Sequence, residues 1–475
     1  MNYSQFLQMI PEATLVAILI ITFVCDFCST GKLNRRWFNP LVSVLLFAHI
    51  LINIMPVSEL SLFGGMYHTY AAAGVMKTIL AVGTLIVLIQ SRTWMSRPDT
   101  EFKEGEFYMI VISTLLGMNI MLSAGHFLMF FLGLEMASVP MACLVAFDKF
   151  RKNSAEAGAK FILTATFSSG VMLYGISFLY GASGTLYFAD MAAKMQISPL
   201  TIMGLVFFFS GLGFKISLVP FHFWTADAYQ GAPTTVTGYL SVVSKGAAAF
   251  TLMIILMKVF GEMVDVWEPL LYVVVVASIT LANIMAIRQD ELKRFMAFSS
   301  ISQAGYIMLA IIGNDGLGIS ALMYYVLVYV VANLAVFTII GVVEENNNGT
   351  TMIDSYNGFY TTNPKLAFLM TLSLFSLAGI PPFAGMFSKF FVFMAALKAG
   401  SVGAYVVVFI ALINTVVSLY YYLLIVKAMY IKSAENALPK FKSDCNTRLA
   451  LFVCMAGVLF CGVVSYFWEW ISASV

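Results

Sequence analysis

Residues 207–250 read FFFSGLGFKISLVPFHFWTADAYQGAPTTVTGYLSVVSKGAAAF, the end of one apolar stretch and most of the next. Each holds a lysine well inside it, Lys215 and Lys245, and the first is broken by Gly211, Gly213 and Pro220. Proline removes a backbone donor and clashes with the preceding turn, so the first stretch is predicted to be an interrupted helix whose freed carbonyls face protein or a water-filled cavity. A charge near mid-bilayer costs at least roughly 3 kcal/mol on insertion scales, so a chain that places several there is read as building a charged path.

Both features recur further along. Residues 375–391, FSLAGIPPFAGMFSKFF, combine Gly379, Pro381, Pro382 and Gly385 with Lys389, and residues 130–140, FFLGLEMASVP, place Glu135 near the middle of an apolar stretch. The whole chain has 475 residues, 60% of them hydrophobic and 11% charged, with a mean hydropathy of +0.89. This composition places it with all-α polytopic membrane proteins and excludes a water-soluble enzyme. No hydrophilic stretch is long enough for a separate soluble domain.

Hydropathy gives about fourteen spans, roughly 11–29, 38–56, 70–91, 107–122, 125–147, 156–181, 199–221, 234–258, 267–287, 294–313, 317–343, 364–397, 402–430 and 448–470. The first lacks a positive leader and is followed by basic residues, so it reads as a retained span. The loops after odd-numbered spans carry Lys32, Arg35 and Arg36, then Arg92, Arg97 and Lys103, then Lys149, Arg151 and Lys152, then Arg288, Lys293 and Arg294, and finally Lys432, Lys440 and Lys442. Few basic residues lie on the other side, so these loops are expected in the cytoplasm and both termini outside it.

Discontinuous helices seven and twelve lie five spans apart. Matching Gly/Pro breaks point to two inverted five-helix repeats, 107–258 (helices 4–8) and 259–430 (helices 9–13), between helices 1–3 (1–106) and a C-terminal helix 14 (431–475); chance spacing of ordinary membrane glycines and prolines is the alternative.

Lys215 and Glu135 are expected to pair across spans five and seven, since a neighbouring opposite charge offsets much of the cost of burial. Such a pair is either a static packing contact or one that makes and breaks, switching a proton on and off. Lys245, about eleven residues into its span, is too deep to snorkel easily and has no carboxylate nearby in sequence, which suits a proton relay; a lysine bonded to core carbonyls is the bland alternative. Lys389 is a candidate exit. His222 would share the face of Lys215 if the helix continued past Pro220, and otherwise reads as interfacial. Lys160 snorkels or feeds the relay, whereas Lys77 and Lys427 read as boundary residues or helix contacts.

Other chemistries lack their parts. Gly211 and Gly213 do not make a dinucleotide fingerprint, GxxxxGK[ST] and HExxH do not occur, and Cys25 and Cys28 alone cannot supply four thiolates for an iron–sulfur cluster, so no metal or cofactor is expected on this chain.

The motifs together are similar to a known family. FKISLVPFHFWTADAYQGAPTTVTGYLSVVSKGAA, LGLEMASVP, RQDELKRFMAFSSISQAGY and GIPPFAGMFSKF closely resemble the antiporter-like proton-pumping subunits of respiratory complex I, over roughly residues 107–430. The resemblance implies that Glu135 is the family's fifth-span glutamate, Lys215 its partner in the broken seventh span, Lys245 the central lysine of the eighth and Lys389 the terminal relay residue of the broken twelfth. His222 matches the histidine beyond the seventh-span break, and Lys160 a sixth-span lysine. It further implies a bacterial inner-membrane protein, surrounded by lipid and by other complex I membrane subunits, including neighbouring antiporter-like ones, and handling protons and water rather than nucleic acid. NADH, flavin, iron–sulfur clusters and quinone would sit on partner subunits. A multi-subunit Mrp-type sodium/proton antiporter shares the fold and is the competing reading. A third, an idle structural subunit, is at odds with keeping four costly buried charges.

Overall fold

The computed structural model describes residues 4–29, 35–55, 59–149, 151–347, 349–433 and 438–475; Lys32, counted above among the basic loop residues, lies outside them. Each segment predicted from hydropathy holds a helix: α1 (Ile10–Ser29), α2 (Phe38–Asn53), α3 (Ala71–Met95), α4 (Glu104–Leu122), α5 (Phe127–Val145), α6 (Lys152–Ser183), α7a (Pro199–Ile216) with α7b (Phe223–Gly231), α8 (Thr234–Lys258), α9 (Val264–Ile287), α10 (Leu292–Ile312), α11 (Gly316–Asn346), α12a (Pro364–Ala378) with α12b (Ala384–Lys398), α13 (Val402–Tyr430) and α14 (Cys445–Val463). Twelve of the described helices are long and apolar enough to cross a membrane. The 16 residues of α2 and the 15 of each half of α12 fall short of that length. A two-stranded antiparallel ribbon, β1 (Leu60–Leu62) and β2 (Tyr67–Thr69), joins α2 to α3.

Both expected interruptions occur, and each has a local cause. Helix α7a ends at Ile216, earlier than the apolar run suggests, because Ser217 adopts a left-handed φ of 70° and Pro220 follows. Helix α12a ends where Gly379 takes φ 90°, a conformation that costs an L side chain about 1–2 kcal/mol. Helix α8 changes register through one π turn, Leu240–Ser244, immediately before Lys245; such turns are frequent at functional sites.

The chain divides into two compact units, Met1–Lys215 with Val243–Trp267 and Ser474, and Ile216–Val242 with Glu268–Ala473 and Val475. In the first, small residues bring backbones into contact. A Cβ on Gly117 of α4 would lie 2.6 Å from Ala137 N of α5, and one on Gly133 of α5 would lie 2.6 Å from Met121 N of α4. Gly175 and Gly204 play the same part between α6 and α7a. In the second unit, α10 and α11 are buried along almost their whole length, whereas α13 and α14 bury one stripe and expose residues such as Phe409 and Phe452. Apolar side chains on that outer face suit a hydrocarbon solvent.

Candidate functional site

Helices α5 and α7a of the first unit meet through Lys215, which is only 6% exposed. Its Nζ donates to Ser138 Oγ at 2.7 Å, and Ser138 in turn donates to Leu134 O at 2.6 Å. Glu135, one turn before Ser138, accepts instead from Ser169 Oγ of α6 at 2.5 Å. The lysine therefore reaches the expected helix but a different acceptor on it. The reason is rotational: positions three apart on a helix are neighbours, so a small turn of α5 decides whether hydroxyl or carboxylate faces α7a.

This arrangement sets the hydroxyl that accepts from Lys215 and a carboxylate that accepts from Ser169 within one turn of α5. A hydrogen bond from a charged group contributes about 1.5–3 kcal/mol, so Ser138→Ala is expected to shift the balance of Lys215 between them by roughly tenfold or more. The 15N chemical shift of the Lys215 ammonium, compared with Ser138→Thr, checks it; an unchanged shift in Ser138→Ala would remove Ser138 from the site.

Lys245 opens the α-helical part of α8 after the π turn and is 2% exposed. Lys160 lies elsewhere on the same unit's surface: it is exposed on α6 and ion-paired with Glu156, one turn back, at 2.8 Å.

The second unit holds the other two candidates. Lys389 of α12b is 4% exposed, donates to Ala378 O at 2.8 Å and stands 4.9 Å from the centre of the Tyr306 ring. Ala378 is the last residue of α12a, so the break supplies the acceptor that the lysine uses. Gly379 leaves room for it, since a Cβ there would sit 3.0 Å from Lys389 Cδ. His222 is the N-cap of α7b, buried and stacked on Phe223. Because the chain leaves the helix at Ser217, the seven-residue face relation between Lys215 and His222 does not hold.

A buried ion pair escaped the sequence reading. Lys77, read as a boundary residue or helix contact, is 2% exposed and donates to Glu12 Oε1 at 2.6 Å, while Tyr67 donates to Glu12 Oε2 at 2.6 Å. Beside them His49 meets Thr14 and Asn53 at 2.7 and 2.9 Å. The available signal was a carboxylate in the first span and an ammonium in the third, each a few residues inside an apolar run.

Comparison with known proteins adds four findings. Residues 124–418 match the family described as NADH:quinone oxidoreductase/Mrp antiporter, TM. NADH-quinone oxidoreductase subunit N of Phocaeicola vulgatus is 57% identical over 472 residues, covering 99% of each chain. Among solved structures, a chain of respiratory complex I from Thermus thermophilus is 29% identical with a TM-score of 0.78 over 95% of this chain and 98% of that one. A chain of the Mrp complex from a Dietzia species, 19% identical, reaches a TM-score of 0.83 over 98% of this chain and 96% of that one, a likeness of fold alone.

Proposed function

Because the chain belongs to the NADH:quinone oxidoreductase/Mrp antiporter transmembrane family, we propose that it is a proton-translocating membrane subunit of an NADH-quinone oxidoreductase, with electron transfer carried out on other subunits. The observation that carries this reading is the burial of three ammonium groups, Lys215, Lys245 and Lys389, at 6%, 2% and 4% exposure inside apolar helices. Such placement is retained where charge movement is the function.

Lys215, with Ser138 and Glu135 as alternative acceptors, acts as the switch. Lys245 takes protons from the cytoplasmic side and Lys389 passes them outward. Raising one charge through 100 mV costs about 2.3 kcal/mol, and a hundredfold change in a lysine's affinity for its proton supplies about 2.7 kcal/mol, so one make-and-break contact is of the right size. Helices 4–8 and 9–13 are read as inverted repeats, supported by the matching positions of the α7 and α12 breaks. Basic residues in the loops after odd-numbered helices support a cytoplasmic face there, with both termini on the other side of a bacterial inner membrane.

Whole complex carrying Lys215→Ala or Lys245→Ala is expected to reduce quinone while losing this subunit's share of the pumped protons. Proton release per NADH oxidised in proteoliposomes measures it, and full pumping by both variants rejects the relay. Flavin- and iron–sulfur-bearing partners that co-purify in mild detergent separate this function from an Mrp-type antiporter.

A further inference from the structure

Where α3 ends and α2 and α4 begin, the structure holds a cavity of about 250 Å³ lined in part by Arg35, Arg36, Asn39, Arg92, Glu101 and Glu104. Both signs of charge face it. Arg35 is spent on Asp26 of α1 at 2.5 Å, and the Asn39 amide donates to Leu88 O at 2.8 Å and Tyr108 Oη at 2.7 Å. Arg36 and Arg92 are not spent: among the described residues neither guanidinium makes an ion pair, and Arg92 reaches only the Arg36 carbonyl, at 3.4 Å. The carboxylates are in the same position. Glu104 is buried and accepts from Tyr108 Oη at 2.8 Å, Glu101 is half-buried, and among the described residues no cation pairs with either.

A charge withdrawn from water is costly without a partner, and the first turn of α4 offsets only part of that cost at Glu104. Two cations and two anions around one cavity, none paired with another, fit a ligand that carries both signs. Guanidinium forks bind phosphate through paired N–H bonds, and a carboxylate accepts from an ammonium that keeps its N–H groups. The surroundings are those of a lipid. Trp37, next to Arg36, and Phe102, next to Glu101, are exposed, as aromatic side chains are at the level of membrane headgroups. Val44, Phe47 and Leu51 form an exposed apolar stripe along α2, on which a hydrocarbon chain can lie.

We propose that this cavity binds the headgroup of one phosphatidylethanolamine molecule, with its phosphate on Arg36 and Arg92, its ammonium on Glu101 and Glu104, and an acyl chain along α2. One ligand then satisfies four charges and ties the turn before α2 to the turn between α3 and α4. Selectivity follows from the same four residues. Phosphatidylglycerol matches the arginines and leaves both carboxylates without a cation, whereas phosphatidylcholine brings a cation with no N–H to donate.

The test places the whole complex in nanodiscs of phosphatidylethanolamine mixed with phosphatidylglycerol or phosphatidylcholine, and native mass spectrometry counts the lipids it retains. Arg36→Gln with Arg92→Gln is expected to weaken retention of phosphatidylethanolamine roughly tenfold or more, the loss of a bond between charged partners. Glu101→Gln with Glu104→Gln is expected to abolish the preference over phosphatidylglycerol. Retention unchanged in the arginine variant overturns the proposal, and so does equal binding of all three lipids by the unaltered complex. Glycerophosphoethanolamine, the headgroup without its chains, is expected to compete poorly; full competition would make the ligand a soluble phosphoester and overturn the lipid assignment. A high-resolution map of the unaltered complex in the same nanodiscs is expected to show headgroup density between the arginines and the carboxylates. Water alone in that cavity overturns the proposal even if the variants fail to assemble.

Discussion

Gly385→Ala is expected to leave no assembled protein in the membrane. A Cβ at that position would lie 1.6 Å from Ser376 O and 2.6 Å from Ser376 C, so the first turn of α12b packs directly onto the last turn of α12a. Nothing flexible stands in the way to yield; both are backbone. Overpacking an ordinary core site costs about 1–3 kcal/mol, and here relief requires the two half-helices to part, taking Lys389 away from Ala378 O. Gly170→Ala is the control, because nothing lies within 4 Å of a Cβ there and alanine is the better helix former by about 1 kcal/mol. The quantity of intact complex on a native gel distinguishes them: wild-type yield from Gly385→Ala would show that the halves do not approach so closely.

Glu12→Leu is expected to be the most damaging substitution among the first three helices. It leaves the Lys77 ammonium buried without its carboxylate, and breaking a buried ion pair from one side costs about 3–5 kcal/mol. Adding Lys77→Met removes the stranded charge and keeps an unbranched chain of similar length, so the double variant should recover most of the loss. Thermal midpoints of the purified single and double variants form a cycle whose coupling term measures the pair. A Glu12→Leu variant no less stable than the double would mean that the charges do not depend on one another.

The breaks and the deep lysines were legible in the sequence because each is a local property. A proline lacks its donor wherever it sits, and an ammonium in an apolar run is desolvated whatever surrounds it. What a side chain touches was less legible. That Lys215 meets Ser138 rather than Glu135 depends on how α5 is rotated, and no residue of either helix encodes that rotation alone. The Glu12–Lys77 pair joins positions 65 apart in sequence, so hydropathy sees two isolated charges near span ends. Lys160 illustrates the reverse: one turn inside a predicted span, it lies on a helix that begins at Lys152 and faces outward beside Glu156. The π turn before Lys245 leaves no mark in composition, since LSVVS is ordinary helical sequence.

The interruption at Ser217 does more than bend the chain. By ending α7a one residue after Lys215, it places that lysine in the final turn, where aligned peptide dipoles sum to about half a negative elementary charge. Lys389 draws on the same resource from the opposite direction, since Ala378 O belongs to the terminal carbonyls of α12a. A backbone dipole cannot be protonated away. Each ammonium thus has beside it a fixed fraction of a counter-ion that no change of protonation can remove, and under the proposed relay a carboxylate such as Glu135 would have to supply only the remainder at Lys215.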